Sequence, residues 1–251
     1  MKKTLKITGI IIGILLIAAL VIFIFFPGLP TYFKVKTEYQ HINDTISDFE
    51  KVTVPSYFDT YVIKGVKLKV PYDYSLTKTE SGLRSSDEKA TLYVIESSPT
   101  KYTDILEEYS DEEYDPWEYY EYEEDDYRSF FAAVDDTYPD DYHASSELLW
   151  YIKDRLTAET CLKLRGRDMD VFLEFAEIKD GAWEMENVWK ISGSNFSGYA
   201  SENITGDYDV PFWTVNLYPE GSDNNYYFMI IRGADEEIIR QIISSIELTE
   251  E

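Results

Sequence analysis

The chain has 251 residues, of which 44% are hydrophobic and 16% aromatic, so it can build a packed core and is too rich in rings for a disordered chain. Its formal charge of −25 sets it against nucleic acid and anionic lipid surfaces and makes cations or basic segments the natural electrostatic match. Cys161 is the single cysteine, which excludes an intramolecular disulfide, and an exported chain without one fits the outside of a Gram-positive bacterium.

Residues 1–6 form a lysine-bearing stub, and Ile7 to Phe26 then run for twenty residues without a charge. As a helix, that run spans about 30 Å, the thickness of a bilayer's hydrocarbon core. Lys2, Lys3 and Lys6 precede it and no base follows until Lys34, which predicts a single-pass helix with its N-terminus cytoplasmic. The run exceeds a signal-peptide core and ends on Phe25-Phe26-Pro27 without a small-x-small site, so a retained anchor at 7–26 is expected.

Residues 27–54 read as a juxtamembrane segment. Pro27-Gly28-Leu29-Pro30 breaks the first helix, and Thr37-Glu38-Tyr39-Gln40 has the form of a capping box. Tyr39, Ile42, Ile46 and Phe49 recur at helical spacing, which predicts a short amphipathic helix there. An extracytoplasmic domain is expected over 55–251. Gly65 to Pro71 alternates apolar and charged residues, which predicts a half-buried strand, and Ala90 to Ile95 predicts another. Ser98-Pro99 predicts a helix carrying Tyr102, Ile105, Leu106 and Tyr109 on one face.

Between 104 and 141 stand seventeen acidic residues against Arg128 alone, yet Trp117, Phe130, Phe131 and several tyrosines are interleaved with them. Asp115-Pro116-Trp117-Glu118 offers a helix start, and Trp117, Tyr120, Tyr127, Phe131 and Val134 fall near one face. The stretch therefore predicts an inserted helix over 116–134 with an aromatic seam and an acidic outer surface. Asp111, Glu112, Asp115, Glu124, Asp125 and Asp126 concentrate the oxygens that calcium takes, although no glycine-containing loop of DxDxDG type surrounds them. Trp117, Tyr120 and Tyr127 are candidates for contact with a basic protein segment or a cell-wall component, because such rings favour interface cores.

Ser145 or Ser146 begins a further helix through about Leu156, and another runs from Asp168 with Phe172, Phe175 and Ala176 inward. Gly181-Ala182-Trp183 and Gly193-Ser194-Asn195 punctuate short strands such as 188–191. Trp213, Val215 and Leu217 alternate with polar residues, and the turn-rich 219–225 joins them to 226–232 as a hairpin. Ile238, Ile239, Ile242, Ile243 and Ile246 close the chain as one face of a helix. This order predicts an α+β fold: a transmembrane helix, then an αβα sandwich with a mainly antiparallel sheet and an acidic helical insertion.

The strand GVKLKVPYDYS (65–75), ATLYVI, the hairpin 212–233 and the closing helix ADEEIIRQIISSIEL (234–248) together resemble the PsbP-like α/β/α sandwich of membrane-attached surface proteins in clostridia and their relatives. That resemblance implies a non-catalytic accessory or binding module and carries no catalytic residue over. With two isolated histidines, His41 and His143, and no HExxH, GxSxG or GxxxxGK[ST] pattern, the chain shows no motif for metal hydrolysis, a nucleophilic serine or a phosphate loop. A calcium-binding surface domain and, behind it, a carboxylate-based hydrolase are the alternatives.

Overall fold

The structure is a computed structural model that describes residues 2–71, 76–78, 82–85, 90–97, 122–138, 144–206, 210–221 and 226–249. It is a mixed α+β protein with a mainly antiparallel sheet. Contacts divide it into two compact units, 1–45 with 115–182 and 46–114 with 183–251. The boundary expected at residue 55 thus falls inside the second unit, and the stretch 104–141 is shared between the two. The helix predicted from Ser98-Pro99 and the contact candidates Trp117 and Tyr120 lie outside the described residues, as do Asp111, Glu112 and Asp115.

The first unit is helical. It opens with α1 (Lys2–Phe25), where the Pro27-Gly28 turn ends the apolar run, and continues into α2 (Leu29–Glu38). Among the described residues no single helix is long and apolar enough to cross a membrane; Ile11–Phe25 and Leu29–Glu38 meet that length and composition only as a pair, bent by 72°. From Ile11 to Phe26 the large apolar side chains of α1 and its end are exposed.

The remaining described helices of this unit are α3 (Glu124–Ala133), α4 (Ala144–Arg155), a 3-10 helix (Ala158–Lys163) and α5 (Arg167–Met185), whose last turn runs past the unit's end. Their inward rows meet in one core: Tyr127, Phe130 and Phe131 from α3, Leu148 and Ile152 from α4, and Val171, Phe172 and Phe175 from α5. Phe175 holds this core together as a ring junction, stacked on Tyr127 at 5.4 Å and edge-on to Phe130 at 5.1 Å.

Three expectations are corrected. The chain is helical over 29–38, before the proposed capping box, and 39–46 is turn and loop; the Thr37 hydroxyl donates back to the carbonyls of Phe33 and Lys34 and caps nothing downstream. Inside the acidic stretch α3 begins at Glu124, because Glu123 has extended backbone (ψ 156°), so no helix runs unbroken from Pro116. Gly181-Ala182-Trp183, expected to punctuate short strands, lies inside α5. A side chain at Gly181 would meet nothing within 4 Å, and the helix passes straight through it.

The second unit is built on an eight-stranded sheet in the order β1 (Ser47–Asp48), β7 (Glu186–Ser192), β8 (Phe196–Asn203), β9 (Phe212–Pro219), β10 (Tyr226–Arg232), β6 (Thr91–Ser97), β5 (Gly82–Ser85), β4 (Leu76–Lys78). Among the described residues, only β1 on β7 is parallel. A second, three-stranded sheet joins β11 (Glu247–Leu248), β3 (Val66–Pro71) and β2 (Phe58–Ile63).

Register decides what this unit buries. Trp189, Ala200, Val215, Met229 and Val94 stand side by side across five strands, so all fall on one face. A slip of one residue would turn that row to the other face. Ile239, Ile242 and Ile243 of α6 (Glu236–Ser244), and Ile246 just after it, join the same core together with Val66, Leu68 and Val70 of β3. Each buried isoleucine contributes about 1.5–3 kcal/mol. Gly198 permits the close passage of β9: a Cβ there would lie 1.9 Å from the carbonyl oxygen of Asn216.

Candidate functional site

Of the sequence-predicted site residues, Glu124, Asp125, Asp126 and Tyr127 are described, and they lie together in the first turn of α3. Acids at that end suit the positive pole of the helix. Two of the three are already engaged by guanidinium groups: Glu124 accepts from Arg128 Nη2 at 2.6 Å, and Asp126 from Arg167 Nη2 at 3.1 Å. The hydrogen bond from Arg167 holds the Asp126 carboxyl below its ordinary range. No group of three or more His, Cys, Asp or Glu among the described residues is placed to hold a metal ion.

Tyr127 is corrected as a contact residue. Its ring is fully buried in the helical core, and its hydroxyl donates to Glu174 at 3.1 Å while accepting from the backbone N–H of Tyr122 at 3.1 Å. Glu123 at the N-cap of α3 and Glu124, Asp125 and Ser129 on the helix are exposed.

At the end of α1 the chain is locked from several directions. Arg165 Nη2 donates to the Ile24 carbonyl at 2.7 Å, satisfying an acceptor that a helix C-terminus leaves open. The Gly28 N–H donates to Leu162 O at 3.1 Å, and the Cys161 thiol donates to Ala158 O at 3.1 Å and more weakly toward Gly28 O at 3.6 Å. Burial pushes the Cys161 thiol up to about 11, which makes it an inert packing residue. Deeper in the same unit, the Lys179 ammonium is fully buried and donates to Asp44 O at 2.5 Å and Leu156 O at 2.6 Å.

In the second unit an open groove of about 490 Å³ lies at the β1 edge of the large sheet. Asp48, Lys51, Lys190 and Tyr199 supply its polar groups, with Phe49 and Ile191 as apolar lining. Register sets Asp48 beside Lys190, and the Phe49 N–H donates to Lys190 O at 2.8 Å, which fixes the lip. Its one carboxylate cannot perform the paired acid and base work of a glycosidase by itself. No pattern in the sequence marks this groove, because its two sides come from residues 48–51 and 190–199.

No protein-family model matches the chain, and a comparison with curated proteins finds no match.

Proposed function

We propose that this protein is a membrane-tethered, non-catalytic accessory or binding module whose chain beyond α1 stands outside the cytoplasmic membrane, at the surface of a Gram-positive bacterium. The observation that carries the reading is α1: a helix over Lys2–Phe25 whose apolar side chains from Ile11 onward are exposed. Exposed apolar area of that extent is unfavourable in water and is what a bilayer buries. Lysines at residues 2, 3 and 6 orient the helix with its N-terminus inside.

The acidic stretch 104–141 serves as the contact region for a basic protein segment or a cell-wall component. Its described part supports this by turning Glu123, Glu124 and Asp125 outward over an aromatic base. The finer architecture, a PsbP-like αβα sandwich with an acidic insertion, is part of the same proposal; the antiparallel sheet and the closing isoleucine helix are what favour it.

The test is extraction and topology of the full chain in a Gram-positive host. Retention in membranes after alkaline carbonate, with both units cleaved by protease added to intact cells, is expected. Release by carbonate or protection from the protease would sink the tether. For the contact region, reversing the exposed charges at Glu123, Glu124 and Asp125 should weaken binding of a lysine-rich peptide. Excision of 104–141 is a poor variant, since it removes Tyr127, Phe130 and Phe131 from the first unit's core.

A further inference from the structure

The junction between α1 and the rest of the first unit carries a surface that the tether alone does not explain. Where the apolar helix ends, Phe25 and Phe26 remain exposed, and Phe33 on α2 is 62% exposed. Against this end the 3-10 helix and its exit are held by the Arg165–Ile24 and Gly28–Leu162 hydrogen bonds. Gly28 lets them approach: a Cβ there would lie 1.8 Å from Cys161 O. Lys163 and Arg165 are thereby fixed at the helix exit with their side chains exposed.

These two bases differ from their neighbours. Lys34, Arg128, Arg155 and Arg167 each have a carboxylate partner, whereas no described carboxylate pairs with Lys163 or Arg165. Of the acids nearest in sequence, Asp168 accepts from the Ser129 hydroxyl, and Glu159 accepts from the Tyr32 hydroxyl, which itself accepts from Lys36. Arg165 uses one nitrogen on Ile24 O, and its guanidinium has further donors.

We infer that Lys163 and Arg165, together with the exposed rings Phe26 after α1 and Phe33 on α2, form a collar that binds the phosphates of anionic phospholipids where α1 leaves the bilayer. The inference rests on the tether proposed above. Exposed rings at the exit suit the interface, and exposed bases on the segment bonded to Ile24 and Gly28 suit phosphate oxygens. The chain's charge of −25 does not oppose this, because screening confines each charge to about 8–10 Å at physiological salt and the anchor itself holds this end at the surface. The collar's task is to fix how the first unit stands on the membrane.

The experiment places the full chain in nanodiscs of phosphatidylcholine, with and without phosphatidylglycerol, and follows amide hydrogen exchange over 158–167. Phosphatidylglycerol should slow exchange there, by about fivefold for each base engaged, and high salt should remove the effect. Lys163→Gln with Arg165→Gln should abolish the lipid dependence. Lys163→Glu, which breaks no contact seen in the fold, should reduce it with the protein still folded. Equal exchange of the wild type in both discs, or a lipid dependence that survives the double variant, overturns the collar alone. A chain that fails to enter either disc overturns the tether and the collar with it.

Discussion

Trp189 stacks on Trp213 with ring centroids 5.0 Å apart and planes 8° from parallel, and the Arg240 guanidinium of α6 lies over both, 4.8 Å and 5.4 Å from their centres. Glu236, one turn earlier, accepts from Arg240 Nε at 2.8 Å and holds it in place. A cation on an aromatic face contributes about 0.5–2 kcal/mol, more where water is excluded. Arg240→Met keeps most of the stem and removes the charge, so it should cost about 1 kcal/mol in denaturant unfolding of the full chain in detergent. A double-mutant cycle with Glu236→Gln separates the ring contact from the ion pair. Unchanged stability in Arg240→Met would mean that α6 is held by its isoleucines alone.

Lys179 predicts a pH dependence of known sign. Burial is the main cause that pushes its pKa down from 10.5 to about 8, and the charges of Asp44 and Asp154 only partly restore it. Between those two values the unfolded chain binds a proton that the folded chain does not. Stability therefore rises with pH across that window, by at most about 1.4 kcal/mol per unit, and falls back as pH drops to 8. Tyr151, pushed up to about 12 by burial, works in the opposite direction above pH 10. Unfolding from pH 8 to 10 should show the rise in the wild type and not in Lys179→Met; parallel curves would refute it.

Sequence patterns were readable where one element supplies its own periodicity. The charge-free run is helical to Phe25, the Trp213-Val215-Leu217 alternation forms a strand with those three side chains buried, and Ile239, Ile242 and Ile243 form the buried face of α6. The pattern Tyr39, Ile42, Ile46, Phe49 misled because its members serve two different cores: Ile42 belongs to the helical one and Phe49 to the sheet. Spacing records that side chains are buried and is silent on what buries them. Lys179 and the groove carry no local signature, since their partners lie far away along the chain.

Gly28→Ala tests the lock at the helix exit. The added methyl would lie 1.8 Å from a backbone oxygen and 2.9 Å from Met169 Cε, and backbone cannot yield as a side-chain tip can. A loss of about 2 kcal/mol or more is expected. Exchange over 158–163 should speed up before the rest of the first unit is affected. Wild-type stability in this variant would show that the 3-10 helix is not seated against Gly28.

Tyr127→Phe isolates the buried hydroxyl between Glu174 and the Tyr122 N–H. The ring stack on Phe175 survives the change, so only the polar contacts are lost. Hydrogen bonds to a charged acceptor contribute about 1.5–3 kcal/mol, and the variant also leaves Glu174 one donor short. Thermal unfolding should show that loss, whereas a contact-surface role for Tyr127 predicts unchanged stability and weaker partner binding.

Calcium binding decides between two uses of the acids in the first turn of α3. A calcium ion there would have to displace the Arg128 and Arg167 guanidinium groups from Glu124 and Asp126, both of which stay charged at any working pH. It would also need six to eight oxygens converging, whereas consecutive helical residues point about 100° apart. Calorimetric titration of the full chain should therefore give the same calcium isotherm for the wild type and for the triple variant Glu124→Gln, Asp125→Asn, Asp126→Asn. A saturable phase present in the wild type and missing from the triple variant would place a calcium site at this turn and make its ion pairs the apo state of that site.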